Sequence, residues 1–330
     1  MRDERSTMTA QSSRWEFRAP EPEGPISAGA VPTFSVVIAA YNVAPYLEQA
    51  INSALDQTLA PREVIVCDDG STDDIEGAVA PFGDRIVFLR QLHAGEAAAK
   101  NRGTEAATGD FVAFFDGDDV QAKVRLEAMG ELAALRPDLD ILTTNCTLVD
   151  EEGRVLRTYL TEGYGFGVTD QRREIFERNF LPSPAIRRSR LLEIGGFDER
   201  LSHHTDVDCA IRLIFSGSRA GLVDAPLFVY RQWSGQMTSD QVTAQRSRLE
   251  MLERLEQRSD LSSDDRSIMD TAAHRTRLML ARAMVRANTP GWREASRQIA
   301  RDRGYPFRTR AKAALVSIAT PIPRRPRAAR

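Results

Sequence analysis

Phe111-Val-Ala-Phe-Phe115 runs directly into Asp116-Gly-Asp-Asp119. Five consecutive apolar residues are enough for one strand buried on both faces. A half-solvated strand would carry a polar residue at every second position, and this one carries none. It ends where three carboxylates fall within four residues. Such a cluster repels itself unless something positive sits among the oxygens. Hard oxygen donors suit Mg²⁺ or Mn²⁺, ions that take one or two carboxylates and complete their shell with substrate phosphates. Gly117 frees the backbone for a tight turn or a close approach to a ligand. A solvated turn capping the next helix is the plainer alternative, and the position after a buried strand favours the metal.

The same unit recurs upstream. Phe34-Ser-Val-Val-Ile-Ala-Ala40 is a second apolar, β-rich run, and Pro45 to Leu59 follows with Leu47, Ala50, Ile51, Ala54 and Leu55 at helical spacing. Glu63-Val-Ile-Val-Cys67 stops at Asp68-Asp-Gly-Ser71, and Ile86-Val-Phe-Leu89 precedes an alanine-rich helix from Glu96 to Ala107. Strands alternating with helices predict a mostly parallel sheet flanked by helices. Ligands of such sheets bind beyond the carboxyl ends of the strands. Tyr41, Asp68–Asp69 and Asp116–Asp119 each follow a strand, so they are expected on one rim. There an aromatic face and a carboxylate acceptor suit a base that stacks and donates an N–H.

Farther on, Asp140 to Thr144 and Leu227 to Tyr230 read as strands, and Phe180 to Arg187 as one loosened by Pro182 and Pro184. Asp206 to Phe215 has helical spacing, and the chain is largely helical from Thr243 to about Asp302. His93, His203 and His204 lie near these clusters, but a lone histidine is more often structural, and no role is read for them.

Composition narrows the function. A net charge of −3 gives no reason to expect nucleic acid. From Gly291 to Arg330, however, eleven Arg and Lys face only Glu294 and Asp302, a surplus of nine positive charges. A basic tail on an acidic body points to contact with an anionic surface such as phospholipid, or to a solubilising tail. Cys67, Cys146 and Cys209 are scattered without C-x-x-C spacing, which argues against a disulfide framework or a zinc site. No stretch has the length and apolarity of a membrane span, and residues 1 to 32 lack the apolar core of a signal peptide. The expected location is cytoplasmic, with peripheral contact at the inner face of a membrane.

Phe34-Ser-Val-Val-Ile-Ala-Ala-Tyr-Asn42, Ser53-Ala-Leu-Asp-Gln-Thr58, Val66-Cys-Asp-Asp-Gly-Ser-Thr-Asp73, Ala99-Lys-Asn-Arg-Gly103 and Phe114-Phe-Asp-Gly-Asp-Asp119 occur in that order. Together they resemble the successive signatures of family 2 glycosyltransferases. Gly195-Gly-Phe-Asp-Glu199, Asp206-Val-Asp-Cys-Ala-Ile-Arg212 and Tyr230-Arg231 resemble that family's later landmarks, so the likeness covers about residues 33 to 235. It implies a GT-A fold and an inverting transfer of a hexosyl group from a nucleotide-diphosphate-sugar, a UDP-sugar first, to a saccharide or lipid-linked acceptor hydroxyl. By resemblance, Tyr41 would stack on the base and Asp69 would accept its N–H. Lys100, Asn101 and Gly117 would line the donor pocket. Asp116 would lie by the ribose and the metal, Asp118 would bind the divalent ion, and Asp206 would act as general base. Two positions depart from the pattern. Thr205 stands where an acid usually precedes the base, and Trp233 stands where a histidine often follows Tyr-Arg.

The expected organisation is a mobile leader (1–32), a catalytic domain (33–235, its nucleotide half ending at 120), a helical extension (236–307) and the basic tail (308–330). Two other classes compete. A sugar-nucleotide pyrophosphorylase would need an early glycine-rich phosphate loop, and neither that nor a dehydrogenase or P-loop fingerprint follows the first strand. A non-catalytic member that only binds nucleotide-sugar would accord with Thr205 and Trp233.

Overall fold

Phe34–Ala40 forms strand β2, and all but one of its residues are buried, as expected for a run of apolar and β-branched side chains at the middle of a sheet. The computed structural model describes residues 14–160, 170–177, 181–233 and 240–318. The chain divides into two compact units, Met1–Gln236 and Met237–Arg330.

In the first unit, β1 is Phe17–Arg18 and β2 is followed by helix α1 (Ala44–Leu55). Pro45 occupies the first turn of α1, where its missing N–H costs nothing. Leu47, Ala50, Ile51 and Ala54 form its buried stripe. Next come β3 (Glu63–Asp68), α2 (Ile75–Val79), β4 (Val87–Arg90), α3 (Glu96–Ala106), β5 (Phe111–Asp116), β6 (Val120–Gln121) and α4 (Arg125–Leu135). The second half contributes β7 (Ile141–Val149), β8 (Val155–Thr158), α5 (Gln171–Glu177), β9 (Ala185–Arg187), α6 (Arg188–Glu193), α7 (Thr205–Phe215) and β10 (Ala220–Arg231).

The sheet runs β1-β10-β7-β9-β5-β2-β3-β4, with β6 on β10 and β8 on β7. Strands β5, β2, β3 and β4 are parallel neighbours, and β10 is parallel to β7. Between these sets lies β9, antiparallel to both β5 and β7. Two reversals cancel, so β7 and β10 point the same way as β5, β2 and β3.

Three elements differ from expectation. The leader is not featureless, because Phe17 is buried and pairs with Val223, giving an apolar ring a place on the sheet edge. The last strand is longer than Leu227 to Tyr230. Its register slips on either side of Pro226, which has no N–H for the ladder, and this break hides the first half. Of the run Phe180 to Arg187, Ala185–Arg187 is strand, while Phe180 lies outside the described residues.

The second unit contains α8 (Gln241–Glu256), α9 (Ser263–Ala287), α10 (Trp292–Arg301) and α11 (Phe307–Ile318). Asp240 caps α8 through the amides of Val242 and Thr243, and Ser262 with Asp265 forms a reciprocal capping box on α9. Ala281, Ile299, Tyr305 and Ala313 share one small core. The basic tail expected from residue 308 therefore begins inside a packed helix, since Ala313 is an apolar residue with a core to enter. Among the described residues, no helix is long and apolar enough to cross a membrane.

Helix α3 lies against β2 and β3 through its small residues. A Cβ on Gly103 would sit 2.4 Å from Val37 Cγ1 and 3.1 Å from Cys67 Sγ. Gly103→Ala should lower stability by about 1–3 kcal/mol, overpacking outweighing the roughly 1 kcal/mol gain in helix propensity. Urea denaturation of Gly103→Ala in wild-type and Val37→Ala backgrounds checks this, and the penalty should largely vanish once the valine methyls are gone.

Candidate active site

The register of the parallel strands builds the rim. Ala40 pairs with Asp68 and Ala39 with Asp116, so the exits of β2, β3 and β5 lie side by side. Arg231 pairs with Val149, bringing the end of β10 to the same edge of the sheet.

On the β2–β3 side, the loops are tied together by polar side chains. Asn42 adopts a left-handed φ of 53°, donates its N–H to Ser71 Oγ (2.9 Å) and accepts from Thr72 N (2.8 Å) through its side-chain oxygen. Asp68 is fully buried, accepts from Ser71 N (2.9 Å) and faces Arg90 Nε at 3.2 Å. Asp69, also buried, accepts from Gln91 Nε2 (2.8 Å), Ala94 N (2.9 Å) and Gly95 N (2.8 Å), and its Oδ2 lies 2.8 Å from His93 Nδ1. Tyr41 is exposed, and its ring stacks on His93 with centroids 4.2 Å apart. Resemblance has Asp69 accept the N–H of a base; here its oxygens already accept from the protein.

On the β5 side, the carboxylates gather round one ammonium. Lys100 is buried, pairs with Glu96 one turn earlier and lies 3.6 Å from Asp116 Oδ1. Burial alone would lower the Lys100 pKa, but the carboxylates of Glu96, Asp116 and Asp206 outweigh it and raise the value. Asp116 is pushed up to about 6, first by desolvation and then by Glu96, Asp118 and Asp206, with Lys100 opposing. Asp118 is buried and accepts from Trp233 Nε1 at 2.7 Å. Asp119 accepts from Arg231 N at 3.0 Å, while its buried Oδ2 has no hydrogen-bond partner. Desolvation, Asp116 and Asp118 hold its pKa well above the carboxylate range.

This donor set fits a divalent cation. Among the described residues, no group of three or more His, Cys, Asp or Glu is arranged to hold a metal by itself. A Mg²⁺ or Mn²⁺ site that borrows phosphate oxygens needs only one or two carboxylates. The partnerless Asp119 oxygen marks the loop as short of positive charge.

Asp206 lies in the first turn of α7, entered through His204 at a left-handed φ of 60°. It is half-buried, and its charge acts on both Lys100 and Asp116. Asp208 has a different setting, buried and paired with Arg212 Nε at 2.7 Å. Burial raises its pKa, with Arg212 opposing. The Thr205 hydroxyl is buried without a hydrogen-bond partner.

Two expected donor-pocket residues are employed elsewhere. Asn101 donates to Phe197 O (3.0 Å) and Glu199 Oε1 (2.8 Å) and accepts from Phe197 N (2.8 Å), so it anchors the 196–199 loop. The fit is tight: a Cβ on Gly196 would lie 2.4 Å from Asn101 Oδ1. Gly117 yields space to the protein itself, since a Cβ there would lie 2.9 Å from Val43 Cγ2. The sequence pattern gives no role to Glu96, and it places His93 near the rim without one. Glu96 stands four residues before Lys100, a spacing that pairs charges on a helix. His93 follows the end of β4, as the strand-exit rule places it, and what the sequence does not announce is its contact with Tyr41 and Asp69.

Residues 35–196 match the model of glycosyl transferase family 2. This part of the chain belongs to that family. The chain is 28% identical over 207 residues to an uncharacterized glycosyltransferase of Methanocaldococcus jannaschii, covering 61% of this chain and 71% of the relative. It is 31% identical over 198 residues to the chondroitin synthase of Escherichia coli, covering 56% of this chain and 26% of that one. Among solved structures, S. aureus TarS 1–349 in complex with UDP superposes with a TM-score of 0.55 at 19% identity, over 81% of this chain and 78% of that fragment. The mannosyltransferase PcManGT of Pyrobaculum calidifontis, in complex with GDP-Man and Mn²⁺, gives 0.55 at 19% identity over 89% of both chains. The shared fold is GT-A.

Asn101→Ala should therefore cost about 1–3 kcal/mol of stability, because it strands the polar groups of Phe197 and Glu199. Nucleotide affinity should stay within about threefold, under 1 kcal/mol on the affinity scale. A urea melt paired with calorimetry of UDP separates the two effects, and a larger loss of affinity would return Asn101 to the donor pocket.

Proposed function

We propose that this glycosyltransferase-family chain is a metal-dependent, inverting hexosyltransferase. It moves a sugar from a nucleoside diphosphate, UDP first, onto a saccharide or lipid-linked hydroxyl in cell-surface polysaccharide or glycoconjugate synthesis. One observation carries the reading: Asp206 lies within electrostatic reach of Lys100 and Asp116, on the strand rim that also carries Asp118, Asp69 and Tyr41. The chondroitin synthase likeness supports the polysaccharide setting, and the UDP and GDP-Man complexes of the two structural relatives support the donor class.

A sugar hydroxyl is a poor nucleophile, so a positioned carboxylate must take its proton as it attacks. Asp206 is that base: the acceptor oxygen bonds the anomeric carbon as the bond to the diphosphate oxygen breaks, and the proton passes to the carboxylate. A single displacement inverts the anomeric centre. Asp116 and Asp118 would hold the divalent ion, which as a Lewis acid neutralises charge on the departing diphosphate. Lys100 offsets the negative charge of Asp116 and Asp206, keeping both close at a tolerable electrostatic cost. Trp233 fixes Asp118 by donating its indole N–H to Oδ2.

Asp206→Asn should lower turnover by about 100-fold or more, in line with general-base contributions, and leave donor affinity in place. Asp118→Asn should remove the difference in UDP affinity with and without Mn²⁺. Asp208→Asn, which breaks the pair with Arg212, should lower the melting temperature more than the turnover. A transfer assay, calorimetry and melting curves read these three outcomes. Near-wild-type turnover in Asp206→Asn would remove Asp206 as the base, and no turnover in the wild type would favour a chain that binds nucleotide-sugar without reacting it.

The basic tail directs the enzyme to an anionic inner leaflet, each Lys or Arg near such a surface contributing about 1 kcal/mol. Because Ala313 is packed in the core of its unit, the informative truncation begins after Ile318 and not at Arg308. Flotation with anionic liposomes should show reduced binding of the truncated chain; unchanged partitioning would sink the idea.

A further inference from the structure

The imidazole of His93 makes both contacts that the donor-site reading reserves for a nucleobase. Its ring stacks on Tyr41 at 4.2 Å with planes 24° apart. Its Nδ1 lies 2.8 Å from Asp69 Oδ2 and 3.2 Å from the Asp69 carbonyl oxygen. Both neighbours are acceptors, so Nδ1 carries the proton and donates, as a ring N–H of uracil or guanine would.

The surroundings make this ring the replaceable partner. The Asp69 side chain is only 3% exposed, and backbone amides of Ala94 and Gly95 fix it from within. Gln91, the other side-chain donor, is half-buried. The His93 side chain is 56% exposed, so it can leave at little cost in packing. Gly70, at φ 73°, lets the His93 backbone cross close by, for a Cβ there would lie 2.7 Å from His93 N.

We propose that His93 is a built-in occupant of the base subsite, held on Tyr41 and Asp69 until a nucleobase with a ring N–H donor displaces it. The inference rests on the donor-site reading above and adds a residue that sets its apparent affinity. An incoming base must replace a stack and a hydrogen bond to a carboxylate together. A base that presents a ring acceptor to Asp69, as cytosine does, replaces only the stack and leaves the buried carboxylate short of a donor. Self-occupancy also lowers apparent affinity by the fraction of molecules whose subsite is open.

The test is calorimetry with Mg²⁺ on wild type and His93→Ala, using UDP, CDP and pyrophosphate as probes. Removing an occupant present in most molecules should tighten UDP binding by about 3- to 10-fold and leave pyrophosphate, which has no base, unchanged. CDP binding should tighten by the same factor, because either base needs the open subsite. Weaker or unchanged UDP binding in His93→Ala, or an equal change for pyrophosphate, would overturn the proposal. Imidazole NMR of the wild type gives a second reading independent of the variant. The His93 resonances should shift with UDP and stay fixed with pyrophosphate, and the reverse would also overturn it. If wild type binds no nucleoside diphosphate at all, the donor-site reading itself fails, and the two failures are thereby told apart.

Discussion

One buried ammonium sets the terms for the rest of the rim. Glu96, Asp116 and Asp206 all act on Lys100, and Asp118 and Asp119 lie just beyond. At protein-like dielectric constants, unit charges about 4 Å apart interact by several kcal/mol, so such a crowd cannot assemble without a counter-charge. The strands deliver the carboxylates, because β5, β2 and β3 are parallel and in register. The small residues of α3 bring the lysine in, because Gly103 lets that helix settle onto Val37 and Cys67. Fold and chemistry therefore share a single requirement: α3 must lie close enough to the sheet for one amine to reach the acids.

Much of this was legible in the sequence where periodicity and physics coincide. An unbroken apolar run such as Phe111 to Phe115 admits few readings other than a buried parallel strand. Once strands alternate with helices, the residues that follow each strand must share an edge. Tyr41, Asp69, Asp116 and Asp118 were found by that argument. What escaped it depends on partners far away in the chain. Nothing near Asn101 announces that its amide will serve Phe197 and Glu199, and nothing near Gly117 announces Val43. A short stretch that alternates aromatic and charged residues, Trp15 to Arg18, looks like a leader until an edge strand beside it offers a ladder.

The departures from the family pattern also acquire physical content. Trp233 keeps a hydrogen bond on Asp118 where a histidine would offer a titratable nitrogen, so that contact no longer depends on protonation. Thr205 replaces a charge with a hydroxyl that has no hydrogen-bond partner, leaving Asp206 without a like-charged neighbour directly before it in the helix. Both changes reduce the number of ionisable groups near the cleft. The electrostatic character of the site then rests more heavily on Lys100.

The pairing of β1 with β10 has a consequence for biosynthesis. Phe17 is made well before its partner Val223, which lies roughly 200 residues later, some 10–40 s of translation at about 5–20 residues per second. Throughout that interval an aromatic side chain and an unpaired strand wait with nothing to cover them. When Leu222 and Val223 finally arrive, the earlier segment pairs along the outer side of β10, joining stretches made far apart in time in one ladder. A nascent chain stalled before that point would display both its N-terminal strand and a bare sheet edge, a combination suited to capture by chaperones or by a second copy of itself.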